Sequence, residues 1–257
     1  MNDVTRVLRS PIEVFAISLA VLWLASWSGA FFFKKRQALN AHEREDFATI
    51  QTATLTLLAL IIGFSFSMAI NRYDLRKTCE EAETNAIGTE YVRADLLPAG
   101  DAAKVRELLR NYLAQRLLFF SDADAHQLQQ INSHTAELQA ALWSAVRVPA
   151  TANPTPIMAL AVSGMNDVLN SQSYTQAAYW NSMPMGEWGL MAVIAICANL
   201  LVGYGSRSAD REAVLLLLLP AILSVSFMLI SDIDSPRGGL IRIRPQNLES
   251  LALSLHD

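Results

Sequence analysis

Two stretches carry side chains whose types and spacing bear on chemistry. The first, QTATLTLLALIIGFSFSMAINRYDLRK (51–77), is an apolar run with many hydrogen-bonding groups: Gln51, Thr52, Thr54, Thr56, Ser65, Ser67 and Asn71. Hydrocarbon offers such groups no partners, so they are expected to turn toward neighbouring helices or a water-filled path. Gly63 beside Phe64 permits a close approach or a bend, and Arg72 and Arg76 follow one turn apart at the membrane edge. Packing through small residues, with arginines snorkelling to the interface, is the plainer account of the same pattern. The second stretch, SDIDSPRGG (231–239), sets Asp232 and Asp234 directly after an uncharged run. A helix C-terminus disfavours acids, whereas Asp234 or Ser235 ahead of Pro236 suits the start of another helix. The expectation is a hinge in which Asp234 caps a following helix. Pro236 and Gly238 would then turn the chain along the membrane surface, with Arg237, Arg242 and Arg244 toward headgroups or a neighbouring helical segment.

Other motifs carry less. VGYG (202–205) resembles the carbonyl-lined filter of potassium channels, but Leu201 stands where a threonine is needed and no short pore helix precedes it. Glycines ending a helix account for it better. His42, His126, His134 and His256 show neither i, i+4 pairing nor a nearby carboxylate set, so no metal site is expected. Cys79 and Cys197 do not suggest a disulfide framework. No nucleophile elbow, phosphate-cradling glycine loop or carboxylate-histidine set is present, which argues against an enzyme. The acids of TCEEAETNAIGTEYVRADLL (78–97) fall on a charged helix, where solvation or pairing with Arg76, Lys77 and Arg93 explains them.

The elements that must position these residues are set by hydrophobicity. The 257-residue chain is 52% hydrophobic and 17% charged, and its mean hydropathy is positive. Its net charge of −4 excludes a strongly basic nucleic-acid binder. Uncharged runs at about 14–33, 48–70, 188–206 and 213–231 each reach the ~20 residues that cross a bilayer core. The fold class expected is an all-α integral membrane protein with four transmembrane helices in two hairpins. Residues 1–70 hold the N-terminal tail and first hairpin, 71–187 a helical cytosolic insert, 188–231 the second hairpin and 232–257 a cytosolic tail. Arg6 and Arg9 before the first run, with Ser28 to Ala30 as small residues, resemble a signal peptide; its length and the following Lys34 to Arg36 favour an uncleaved span.

A fifth uncharged run (148–166) holds three prolines and is expected to be a loop entering a soluble helix. Within the insert, Leu128, Ile131, Thr135, Leu138, Leu142 and Ala145 recur at steps of three and four. Val105, Leu108, Leu109 and Tyr112 do the same, with Asp101 as the expected N-cap and DLLPAGD as the break before that helix. Arg6, Arg9, Arg72, Arg76, Lys77, Arg237, Arg242 and Arg244 lie on the side of the termini and insert. Lys34, Lys35, Arg36, Arg44, Arg207 and Arg211 lie on the other, so the positive-inside rule places the termini in the cytoplasm by a small margin.

IGFSFSMAINRYDLRK (62–77) resembles the second span of the bestrophins, with Gly63, Phe64, Arg72 and Tyr73 on the family's glycine, phenylalanine and arginine-aromatic positions. DIDSPRG (232–238) resembles the acid-hydrophobe-acid-polar-proline exit of their last span. Together with EAETNAIGTEYVRADLLP (81–98), these residues resemble the bacterial bestrophin-like membrane family. The resemblance implies a homo-oligomeric, pentameric ion channel of a bacterial inner membrane, with a weak preference for anions. It implies a pore lined by Thr56, Leu60, Phe64 and Ser67, and a mouth charged by Arg72 and Arg76. It also raises a Ca²⁺ site at Asp232 and Asp234, although two carboxylates fall short of six to eight oxygen ligands. The lipid bilayer, further copies of the chain and inorganic ions are the partners implied; nucleic acid is not. The alternative is a non-conducting membrane scaffold or sensor whose insert binds a cytosolic partner.

Overall fold

The computed structural model describes residues 10–32, 41–121, 124–206 and 213–255. Among them every regular element is helical: α1 (Pro11–Phe32), α2 (Ala41–Arg93), a 3-10 turn (Ala94–Leu96), α3 (Ala99–Phe119), α4 (Ala125–Ala152), α5 (Pro156–Trp180), α6 (Met185–Gly205), α7 (Ala213–Asp234) and α8 (Gln246–Ser254). Four candidate spans are long and apolar enough to cross a membrane, containing α1, α2, α6 and α7. The charges at Arg6, Arg9, Lys34, Lys35, Arg36, Arg207 and Arg211, and His256, lie outside the described residues.

Helix α2 has 53 residues and is about 80 Å long, against a hydrocarbon core of about 30 Å. Only about 20 of its residues fit the core, and the uncharged stretch 48–71 is the one that avoids burying unpaired charge. The charged remainder lies outside the bilayer.

The chain forms two compact units, residues 1–73 with 182–242, and residues 74–181 with 243–257. In the first, α1 packs against both α6 and α7. Its core joins Leu22, Leu58, Met191, Ala195 and Phe227. The α1–α6 crossing is close because glycines stand on both sides of it. A Cβ on Gly203 would overlap the Ser26 carbonyl oxygen and lie 2.9 Å from the Ala30 nitrogen, and one on Gly29 would overlap the Leu200 carbonyl oxygen. Beside the crossing, the Ser26 hydroxyl donates to Asn199 Oδ1 (3.1 Å), which gives two buried polar groups a partner. Within VGYG, therefore, Gly203 serves helix packing while Gly205 ends α6.

In the second unit, α3 packs on α4 and α4 on α5, around Val105, Leu109, Tyr112, Leu142, Met165 and Val168. The apolar stripes expected for α3 and α4 are the faces turned toward this core, with Leu108 packed at its margin and Leu128 and Ile131 half-buried. Helix α4 opens on a capping box: Asp124 accepts from Gln127 N, and Gln127 Oε1 accepts from Asp124 N. Two boundaries differ from expectation. Residues 148–152 end α4 instead of looping: Pro149 stands in the last turn, where its own carbonyl still accepts from Asn153. Pro98, not Asp101, is the N-cap residue of α3, and Asp101 lies in the first turn, where its charge favours the helix N-terminus.

The α1–α6 crossing generates a prediction. Gly203→Ala should lower stability by about 1–3 kcal/mol, since neither backbone can retreat without repacking the crossing. Gly63→Ala, whose added methyl meets nothing within 4 Å, should leave it unchanged or raise it by roughly 0.5–1 kcal/mol. Thermal midpoints of the two variants in detergent, read by the loss of monodisperse protein, check both.

Candidate functional site

The candidate site is built on the spanning part of α2. At about 100° per residue, Thr56, Leu60, Phe64 and Ser67 share one face. Leu58, Ser65 and Ala69, all buried in the first unit, lie on the opposite face. Burial thus fixes the rotation of the helix and leaves Thr56 and Ser67 exposed, with Leu60 53% and Phe64 62% accessible. The exposed stripe also holds Thr49, Thr52, Gly63 and Asn71, so hydroxyl and amide groups flank two bulky apolar side chains. Thr56 donates to the Thr52 carbonyl (2.8 Å) and Thr49 to that of Glu45 (2.9 Å). Their hydrogens are held along the helix, so the oxygen lone pairs remain for a solvent or ion.

Arg72 and Arg76 do not offer open charge. The Arg72 guanidinium donates to Asp234 Oδ1 (3.1 Å), both side chains being nearly nine-tenths buried. The second oxygen of Asp234 accepts from the backbone N–H of Met183 (2.8 Å), two residues before α6. One carboxylate therefore joins the end of α7, the lower part of the α2 span and the entry to α6. Arg76 is buried in the second unit, donating to the carbonyls of Ala178 (3.2 Å) and Asn181 (3.0 Å), where it caps the C-terminus of α5.

The exit of α7 differs from the expected hinge. Helix α7 runs through Asp234, no helix starts at Pro236, and the next begins at Gln246. Ser235 Oγ accepts from Gly238 N (3.2 Å), closing a turn. Asp232 accepts from the backbone N–H groups of Leu240 (2.5 Å) and Ile241 (3.0 Å). The acids at the helix end are tolerated because each carboxylate receives N–H donors. These oxygens suit a calcium ion poorly, because both carboxylates already face N–H donors that an ion would have to displace. Nor is any group of three or more described His, Cys, Asp and Glu side chains placed to hold a metal.

Solvation accounts for the exposed Asp74 and Glu81 but not for the buried Glu80, Glu83 and Glu90, whose roles are what sequence reasoning missed. Glu80 accepts from Leu248 N (3.1 Å) and Asn247 Nδ2 (2.7 Å), giving α8 the cap that its N-cap residue Pro245 cannot supply. Glu83 pairs with Arg116 of α3 and accepts from the Thr175 hydroxyl (2.8 Å), all within the core of the second unit. Glu90 is buried with neither carboxyl oxygen hydrogen-bonded. Gly164 of α5 makes room for it, since a Cβ there would overlap Glu90 Oε2. Burial pushes this carboxyl up to about 8, against the pull of Arg93, with Asp167 adding to the rise. The signal available in the sequence was spacing: Glu80, Glu83, Ile87 and Glu90 recur at steps of three and four, and all four are buried on one side of α2.

A four-span, all-helical membrane protein with a helical unit between its hairpins is the class this architecture defines. Residues 20–248 match the Bestrophin-like domain, and the chain belongs to that family. Three crystal structures of a bacterial Bestrophin homolog from Klebsiella pneumoniae share the fold. One variant gives a TM-score of 0.66 at 11% identity, covering 96% of this chain and 97% of the other. A second variant gives 0.65 at 12%, covering 96% and 95%. A third structure gives 0.63 at 12%, covering 95% and 96%. No curated protein matches the sequence significantly.

The buried charges are open to test. Asp234→Ala should destabilise the protein by about 3–5 kcal/mol by stranding Arg72, and the Asp234→Ala, Arg72→Ala double variant should lose less than the two single losses combined. Denaturation midpoints in detergent check this. Because the folded Glu90 carboxyl titrates at about 8 and its ordinary value is 4.5, the folded state holds a proton that the unfolded chain releases. Its stabilising effect is full below 4.5 and is lost as pH rises toward about 8. Glu90→Gln should therefore gain in thermal midpoint over the wild type progressively between about pH 5 and pH 8, and a pH-independent difference would contradict the assignment.

Proposed function

We propose that the chain is the subunit of a homo-oligomeric ion channel of the bacterial inner membrane, with α2 lining the pore and five copies around the axis. The observation that supports this reading is the exposed stripe of α2. Hydroxyl groups above and below Leu60 and Phe64 form a face that lipid alone would not favour, and symmetry would turn it into a wetted path with an apolar neck. Family membership supports the reading as well. The termini and the helical insert are assigned to the cytoplasm. The proposed anion preference is small, because Arg72 is neutralised by Asp234 and Arg76 faces carbonyl oxygens.

Purified protein in planar bilayers tests the proposal. Leu60→Ala and Phe64→Ala should each raise the current; removing about 1.4 kcal/mol of barrier corresponds to about tenfold. In a potassium chloride gradient the reversal potential should lie only slightly to the anion side of zero. Absence of current at every voltage, pH and calcium concentration would sink the channel reading and leave the non-conducting scaffold or sensor.

A further inference from the structure

We infer that the loop after α7 is a membrane anchor that seats Leu240 and Ile241 in the acyl boundary and Arg237 and Arg242 among anionic lipid headgroups. Leu240 is 88% exposed and Ile241 40% exposed, so two adjacent aliphatics face away from the rest of the protomer. The exposure is imposed by the backbone. Asp232, in the last turn of a span, accepts both of their N–H groups, which holds the two aliphatics close to the membrane exit. Gly239 seals the arrangement: it is buried, and a Cβ there would overlap Asp232 Oδ1 and lie 2.6 Å from the Asp232 carbonyl oxygen.

Charge identifies the surface that receives the loop. Between Ser235 and Arg242 the chain carries two arginines and no acid. Arg242 is exposed, and its Nε donates to the Gly239 carbonyl (2.7 Å), which ties the cation to the tip that presents Leu240. An aliphatic tip flanked by cations at a span end matches an interface of phosphate oxygens over hydrocarbon. The anchor is independent of whether the protein conducts.

A spin label at Leu240→Cys, in full-length protein carrying Cys79→Ser and Cys197→Ser and reconstituted into vesicles, reports the surroundings. In phosphatidylcholine vesicles containing phosphatidylglycerol, the label should be reached by oxygen and shielded from an aqueous nickel chelate, at a depth of roughly 5–10 Å. Access by the chelate would overturn the anchor, and shielding from both reagents would overturn it in favour of contact with a neighbouring copy. Depth should decrease in phosphatidylcholine alone, at high salt and in an Arg237→Gln background. A depth that none of these changes would overturn the role of the headgroups. Should the labelled chain misfold, quenching of Leu240→Trp by brominated acyl chains, compared with the unsubstituted protein, separates the same outcomes.

Discussion

The membrane unit depends on the carboxylate of Asp234. It stands at the last residue of α7 and receives the Arg72 guanidinium on one oxygen and the Met183 N–H on the other. Removing an ion pair from water is costly, and the cost is offset only when the remaining lone pairs also find donors. Here the second oxygen takes a backbone amide that would otherwise lie orphaned ahead of α6. Three elements are thus bound at one point, where apolar packing alone is non-directional. With Arg72 held toward α7, the buried face through Leu58, Ser65 and Ala69 is turned inward, and the face of Leu60 and Phe64 is turned outward.

In the helical unit the same helix provides polar groups of a different kind. Arg76 donates to the C-terminal carbonyls of α5, Glu80 accepts from the Leu248 amide in the first turn of α8, and Glu83 accepts from the guanidinium of Arg116. Each satisfies a group that its own element leaves open, such as α8, which begins after a proline without a capping side chain. Glu90 is the exception. Its carboxyl fits under Gly164 without a hydrogen bond, so it is held neutral by desolvation, and the proton takes the place of a partner.

The four spans, the helices of the insert and the break at Pro98 were legible because hydrophobic length and 3.6-residue periodicity depend on local sequence. Thr56, Leu60, Phe64 and Ser67 were singled out by the family resemblance, and spacing added only that they share one helical face. The partners of the charges were not legible. Arg76 finds carbonyls 102 and 105 residues away and Glu80 finds an amide 168 residues away, separations that no window along the chain samples. Asp234 before Pro236 satisfied every local rule for an N-cap, yet the carboxylate is drawn to Arg72 and Met183 because a buried charge gains more from a cation than from a turn. The same distance hid Gly203, whose need for no side chain comes from the Ser26 carbonyl on another helix.

This use of charge bears on ion passage. The Arg72 charge is offset by Asp234, whereas Arg76 keeps its charge but is buried with its donors turned to the carbonyls that end α5, so neither presents an open guanidinium to a mouth. In the proposed pore, discrimination then falls to the neck, where Leu60 and Phe64 exclude water and Thr56 presents an oxygen whose hydrogen is already donated to Thr52. An oxygen so oriented accepts more readily than it donates, which keeps the proposed anion preference small. The hydroxyl at this position and the hydrogen-bonded arginines act in the same direction, toward a pore governed by wetting more than by charge.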